Sequence, residues 1–82
     1  MTIEGSKLVK GRGLIALGVP SGTPLPGAVV IKMPDGTVIE SRVTDVEHFR
    51  VPGNHWGLLL PDLAELLPEG AVIEKVDDPA AV

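Results

Sequence analysis

The sequence predicts a small all-β domain closed into a barrel, and three features of its 82 residues point there. Hydrophobic residues make up 44% of the chain but include only one Phe and one Trp, so the core must be aliphatic and close-packed. Ten Gly and eight Pro are spread along the chain, which is too much punctuation for long helices. The apolar runs between these turns have strand length, and closing them into a barrel removes the unpaired edges they would otherwise expose. A chain of this size buries only about 60% of its unfolded surface, and one domain over 1–82 is expected, with its core at 7–76 and a frayed tail at 77–82.

The first strand signal is KLVK (7–10), followed by GRG (11–13) and LIALGV (14–19). The two glycines read as a bulge or tight reversal, because a residue without Cβ fits where chains approach closely. The next stretch, PSGTPLPG (20–27), holds three prolines and cannot be regular structure. In AVVIKM (28–33), Val29, Ile31 and Met33 alternate with Val30 and Lys32 at the period of a half-buried strand. PDGT (34–37) then supplies a turn.

The segment VIESRVTDVEHFR (38–50) changes phase, since Ile39 and Val43 share one parity and Val46 takes the other. A bulge or break near 44–45 is therefore expected. VPGN (51–54) reads as another turn, and HWGLLL (55–60) as a strand with both faces covered. PDLAELLPEG (61–70) is the single helical candidate, with Asp62 as cap, Leu63, Leu66 and Leu67 on one face and Pro68 as stop. At most one short helical turn near 62–67 fits. AVIEKV (71–76) is the last strand.

Cysteine is absent, which removes disulfides, thiolate ligands and thiol nucleophiles together. A reducing, cytoplasmic setting is the expectation. No run approaches the ~20 apolar residues of a membrane-spanning helix, so no membrane partner is expected. A net charge of −4 disfavours strong binding to a nucleic-acid backbone, although Lys7, Lys10 and Arg12 form a small basic edge.

Both histidines and both aromatics fall in TDVEHFRVPGNHW (44–56). The ligand types Asp45, Glu47, His48 and His55 lack any zinc spacing, and Ser6, Ser21 and Ser41 sit in no nucleophile elbow. No phosphate-binding loop is present, because GRG lacks the Lys-Ser/Thr that follows it in one. Taken by themselves these residues describe a solvated turn flanked by Phe49 and Trp56 as packing groups. No catalytic residue, metal or cofactor is expected from them.

Read in order, GRGLIALG (11–18), SGTPLPGAVVI (21–31), TDVEHFR (44–50) and GNHWGLLLPDLAELLPEGAVI (53–73) resemble the second domain of elongation factor Tu and its relatives among the translational GTPases. The resemblance implies a six-stranded Greek-key β-barrel that receives the 3′ aminoacyl-adenosine end of transfer RNA. It places Val9, Gly11, Ile15 and Leu59 around an adenine pocket and lays the stem of Glu47 against the base. Phe49 and His55 fall where main-chain groups face the aminoacyl group, and Arg50 matches an arginine beside them. The chain departs from the pattern at Lys7, at the short 51–54 loop and at His55, where the family has Asn.

The expected function is a non-enzymatic binding module of translation-protein type that uses the 47–59 rim. Its partner would be a protein, an RNA 3′ end or a nucleotide-like ligand. Two alternatives stand beside it. One is a small acyl-transfer or hydrolytic enzyme with His48 or His55 as base and Glu47 as orienter. The other is a protein-docking subunit of a translation-related assembly.

Overall fold

The computed structural model describes residues 1–49 and 55–76, and the strands fall between the Gly and Pro turns. They are β1 (Ile3–Val9), β2 (Gly13–Gly18), β3 (Gly27–Lys32), β4 (Val38–Val43), β5 (Asp45–Phe49), β6 (His55–Leu60) and β7 (Val72–Lys75). The chain is all-β, built as two antiparallel sheets in the orders β1-β2-β6-β5 and β4-β3-β7. Among the described residues no helix is long and apolar enough to cross a membrane.

Alternation along the strands fills the space between the sheets. Leu14, Ala16, Leu58 and Leu60 point inward from the four-stranded sheet, and Val29, Ile31, Val43 and Ile73 from the three-stranded one. The parity expected for Val29, Ile31 and Met33 is present: Val29 and Ile31 are buried, Met33 packs against the core, and Lys32 is exposed. All the buried side chains are apolar among the described residues. Burying aliphatic groups at roughly 25 cal/mol per Å² is thus the main stabilising term.

Turns follow from local chemistry. Gly11 and Gly13 close the β1–β2 hairpin with φ of 78° and 111°, and the Arg12 N–H donates to the Val9 carbonyl at 3.0 Å. Space also requires glycine at 13, since a Cβ there would stand 2.6 Å from Pro61 Cα. In the 34–37 turn Gly36 has φ of 94°, and the Asp35 carboxylate accepts the Thr37 N–H at 2.9 Å.

The break expected near 44–45 separates β4 from β5, so the segment provides two strands and the described residues form seven where the resemblance implies six. Thr44 N–H reaches across to the Leu59 carbonyl at 3.0 Å, and the Asp45 carboxylate accepts the Val46 N–H at 2.9 Å. Val43 and Val46 can then both face inward despite their opposite parity.

The two sheets also meet along a seam between β1 and β7. Ile3 N–H donates to Ala71 O at 2.7 Å, Gly70 N–H to Ile3 O at 3.0 Å and Ile73 N–H to Met1 O at 2.8 Å. An isolated bridge joins Thr2 to Val72.

No helix forms over 62–67, where the sequence allowed one short turn. Leu63 N–H makes one turn-type bond to Leu60 O, and the segment then runs as irregular chain with a bend at Glu65. The Ser6 hydroxyl is the competitor: it accepts the Leu67 N–H at 2.9 Å and donates to the Leu67 carbonyl at 3.1 Å. With Pro61 and Pro68 bracketing so short a stretch, a helical nucleus gains too few bonds to offset its entropy. Leu63, Leu66 and Leu67 accordingly do not share a face, for Leu67 is buried while Leu66 is 61% exposed.

Candidate functional site

The strands β2 and β6 lie between neighbours in the four-stranded sheet and are apolar on both faces. Their inward residues make the core; their outward residues make a platform. Ile15 pairs with Leu59, and Leu17 pairs with Gly57. On the next strand Asp45 pairs with Leu59, Glu47 with Gly57 and Phe49 with His55. Strand pleating puts these paired residues on one side of the sheet, opposite Leu14, Ala16, Leu58 and Leu60.

Gly57 is the low point of this platform. A Cβ there would stand 2.9 Å from Phe49 Cε2, 3.1 Å from Ile15 Cγ2 and 3.5 Å from Leu17 Cδ2. The missing side chain lets the Phe49 ring lie down beside Ile15 and Leu17, yet Phe49 stays 37% exposed. The rim is charged. Arg12 approaches Asp45 at 3.9 Å with both side chains more than half exposed, a contact that solvent screens heavily. Glu47 is exposed on the same side.

At the far end His55 Nε2 lies 2.7 Å from Glu4 Oε2. Register shifts by one residue between Ile3 and Gly5 in the β1–β2 pairing, so Glu4 is the extra residue of a bulge. Bulges re-aim side chains, and here the carboxylate reaches a strand two places away.

The residues that the resemblance singles out divide in three. Ile15, Leu59, Glu47, Phe49 and His55 come together on the platform. Val9 and Gly11 instead line the groove under the β1–β2 turn with Pro61 and Leu63, at the opposite end of the sheet from His55. Arg50 and the 51–54 turn lie outside the described residues. The recess bounded by Ile15, Glu47, Gly57 and Leu59 has a volume of only ≈ 20 Å³. That is room for about one water, against the ~300 Å³ or more of a preformed small-molecule pocket. The site is a platform rather than a cavity.

The histidines separate. His48 has the opposite parity from Glu47 and stacks on Trp56, with ring centroids 4.4 Å apart and planes at 16°. Trp56 is half-buried between Gly18 and His48 on the neighbouring strands. Among the described residues no group of three or more His, Asp or Glu could hold a metal ion.

Leu17, Gly57 and the Glu4–His55 contact were not singled out from the sequence as site features. A signal for the first two was present: GLIALG and HWGLLL are apolar at both parities, which marks a strand whose outward face is also in use. No family model, curated protein or solved structure matches the chain.

Proposed function

We propose that the chain is a non-enzymatic binding module of the translation-factor barrel type. It recognises a partner, or an aminoacyl- or adenosine-like group, on the outward face of the four-stranded sheet. One observation carries this reading: Ile15, Leu17, Leu59 and Phe49 form a continuous, half-open apolar surface around Gly57, with Glu47, Asp45 and the Glu4–His55 pair at its rim. Solvent-facing positions in a sheet are ordinarily polar, so an apolar outward face marks a surface that is covered in use.

The β1–β7 seam and the hinge at Thr44 support the six-stranded barrel reading. With β4 and β5 counted as one bent strand, the chain of neighbours runs β1, β2, β6, the bent strand, β3 and β7, and returns to β1. The rim sets three carboxylates, Glu4, Asp45 and Glu47, against Arg12 and His55, which favours an uncharged aminoacyl group or a protein segment over an RNA backbone.

Titration of labelled protein with AMP, an aminoacyl-adenosine mimic and a short CCA-ended RNA tests the reading. Saturable shifts confined to residues 13–17, 45–49 and 55–59 are expected. No shift at millimolar ligand would end the small-ligand version and leave a protein partner to be sought by docking.

The Glu4–His55 contact supports a second reading, a small acyl-transfer or hydrolytic enzyme. In it His55 is the base and Glu4 takes the orienting place expected for Glu47. Turnover of activated esters that disappears in His55→Ala and survives in His48→Ala would favour it.

A further inference from the structure

A second concave feature lies on the side of the molecule where the two sheets diverge under the 20–25 loop. It is a cleft of ≈ 290 Å³, with a floor made by Val29, Val43, Leu58 and Ile73, so that β3, β4, β6 and β7 all contribute to it. These four side chains are at most 5% exposed and close the cleft at its base, while the more open apolar lining is Met1, Pro20, Pro24 and Leu25. The wall is the loop itself, where Pro20 and Pro24 restrict the backbone and Ser21 and Thr23 add hydroxyls.

The charge at its mouth is one-sided. Lys75 is the only charged side chain among the described lining residues, and the Met1 ammonium, from a residue that also lines the cleft, donates to the Ile73 carbonyl at 2.8 Å, although acids outnumber bases eleven to seven in the sequence. Its placement follows from strand parity. Lys75 pairs with Val29 and shares the core-facing side of β7 with Ile73, whereas Glu74 faces out and meets Lys32 at 3.0 Å. The last inward position of β7 therefore puts Lys75 at the cleft beside its aliphatic base.

We propose that this cleft binds a short aliphatic monocarboxylate, with its tail held between the Pro20, Pro24 and Leu25 wall and the base of Val29, Val43, Leu58 and Ile73, and its carboxylate at Lys75. The volume corresponds to roughly ten water-sized groups, which suits a chain of about six to eight carbons. A single lysine is a point charge that complements a carboxylate; a phosphate dianion is better served by an arginine fork. This site is separate from the platform and does not depend on the function proposed there.

The test is a methyl- and amide-detected NMR titration of the whole chain with octanoate, octylamine and octanol as probes. Octanoate is expected to shift the methyl signals of Val29, Val43, Leu58 and Ile73 saturably, and to bind more tightly than octanol. Octylamine is expected to bind weakest. Lys75→Glu should weaken octanoate by up to about fivefold and reverse the order of octanoate and octylamine, because a rim ion pair is worth up to about 1 kcal/mol. Lys75→Met should bring octanoate to the level of octanol and gives the same reading should the charge reversal unfold the chain. Equal binding of all three probes to the native protein would overturn the proposal. So would octanoate shifts confined to Ile15, Leu17 and Leu59, or none at millimolar concentration.

Discussion

The outward faces of the two sheets are built by the same alternation and differ in where charge sits. On the three-stranded sheet charged and apolar residues are mixed: Lys32, Glu40, Arg42 and Glu74 share the face with Val30, Val38 and Val72, Val30 is flanked by Glu40 and Glu74, and Lys32 is bridged to Glu74. On the four-stranded sheet the corresponding positions of the two central strands are Ile15, Leu17, Gly57 and Leu59, and charge appears only at the margin. Both faces turn away from the core, so burial in the fold does not explain the difference. An apolar outward face lowers solubility and is retained where something covers it, which is why the functional reading rests on this sheet.

Substitutions can break or sharpen that contrast. The largest effect is expected from Gly13→Val, which forces a β-branched residue to φ of 111° and a Cβ against the Pro61 backbone. A loss of about 3 kcal/mol or more is expected by urea denaturation, because neither strain can relax by moving a flexible side chain. An unchanged midpoint would show that the hairpin does not seat against residue 61 as described.

Placing one lysine on each face compares them directly. Leu59→Lys, between Ile15 and Asp45 on a central strand, should cost about 2 kcal/mol and abolish binding at the platform. Val30→Lys, between two glutamates, should cost less than about 1 kcal/mol and leave binding unchanged. Equal costs would mean that the two faces are energetically alike.

Glu47→Ala should alter stability by no more than about 0.5 kcal/mol, since the carboxylate is exposed, while weakening any platform ligand by about 1 kcal/mol. At the edge of the same sheet, His48→Ala removes the ring stacked on Trp56 and should cost about 1 kcal/mol. It should also change the Trp56 emission, and an unaltered spectrum would contradict the stacking.

The smallest effect belongs to the charged side of the comparison. Asp35 titrates below the usual carboxylate range because the Thr37 backbone N–H, and then the Thr37 hydroxyl, bond its ionised form. A carboxyl with a depressed folded value supports the turn above its unfolded value and loses that support as pH falls through the folded one. The Thr37 amide resonance should therefore move in acid below the usual aspartate range, and Asp35→Asn should remove that titration.

What could be read in the sequence was whatever depends on neighbours a few residues away. The inward set Val29, Ile31 and Met33, the 34–37 turn and the break at Thr44 all follow from parity and turn chemistry. The non-helical course of 62–67 could not be read, because it is decided by Ser6, 61 positions from its partner Leu67. The Glu4–His55 contact was hidden for the same reason: it needs the bulge in β1 and the strand order together. At the platform, strand parity separates Glu47 from His48, and the β2–β6 register pairs Ile15 with Leu59. The depth of a pocket cannot be read from parity, and the adenine cavity implied by the resemblance is here a recess of ≈ 20 Å³.

The seam between β1 and β7 bears on how the chain acquires its shape. Ile3 has no backbone partner at the seam until residues 70 and 71 are in place, so this stitch closes one of the longest loops the chain can make. Contacts so distant in sequence form slowly, because the closure entropy is lost before the contact repays it. During synthesis the hairpin of β1 and β2 emerges early and waits with the Ile3 edge unpaired while the rest of the chain is made. In that interval a β7 segment from another molecule presents the same hydrogen-bonding groups as the chain's own. Crowded or rapid expression should therefore yield strand-exchanged dimers joined at this seam, and slow refolding at low concentration should yield monomers.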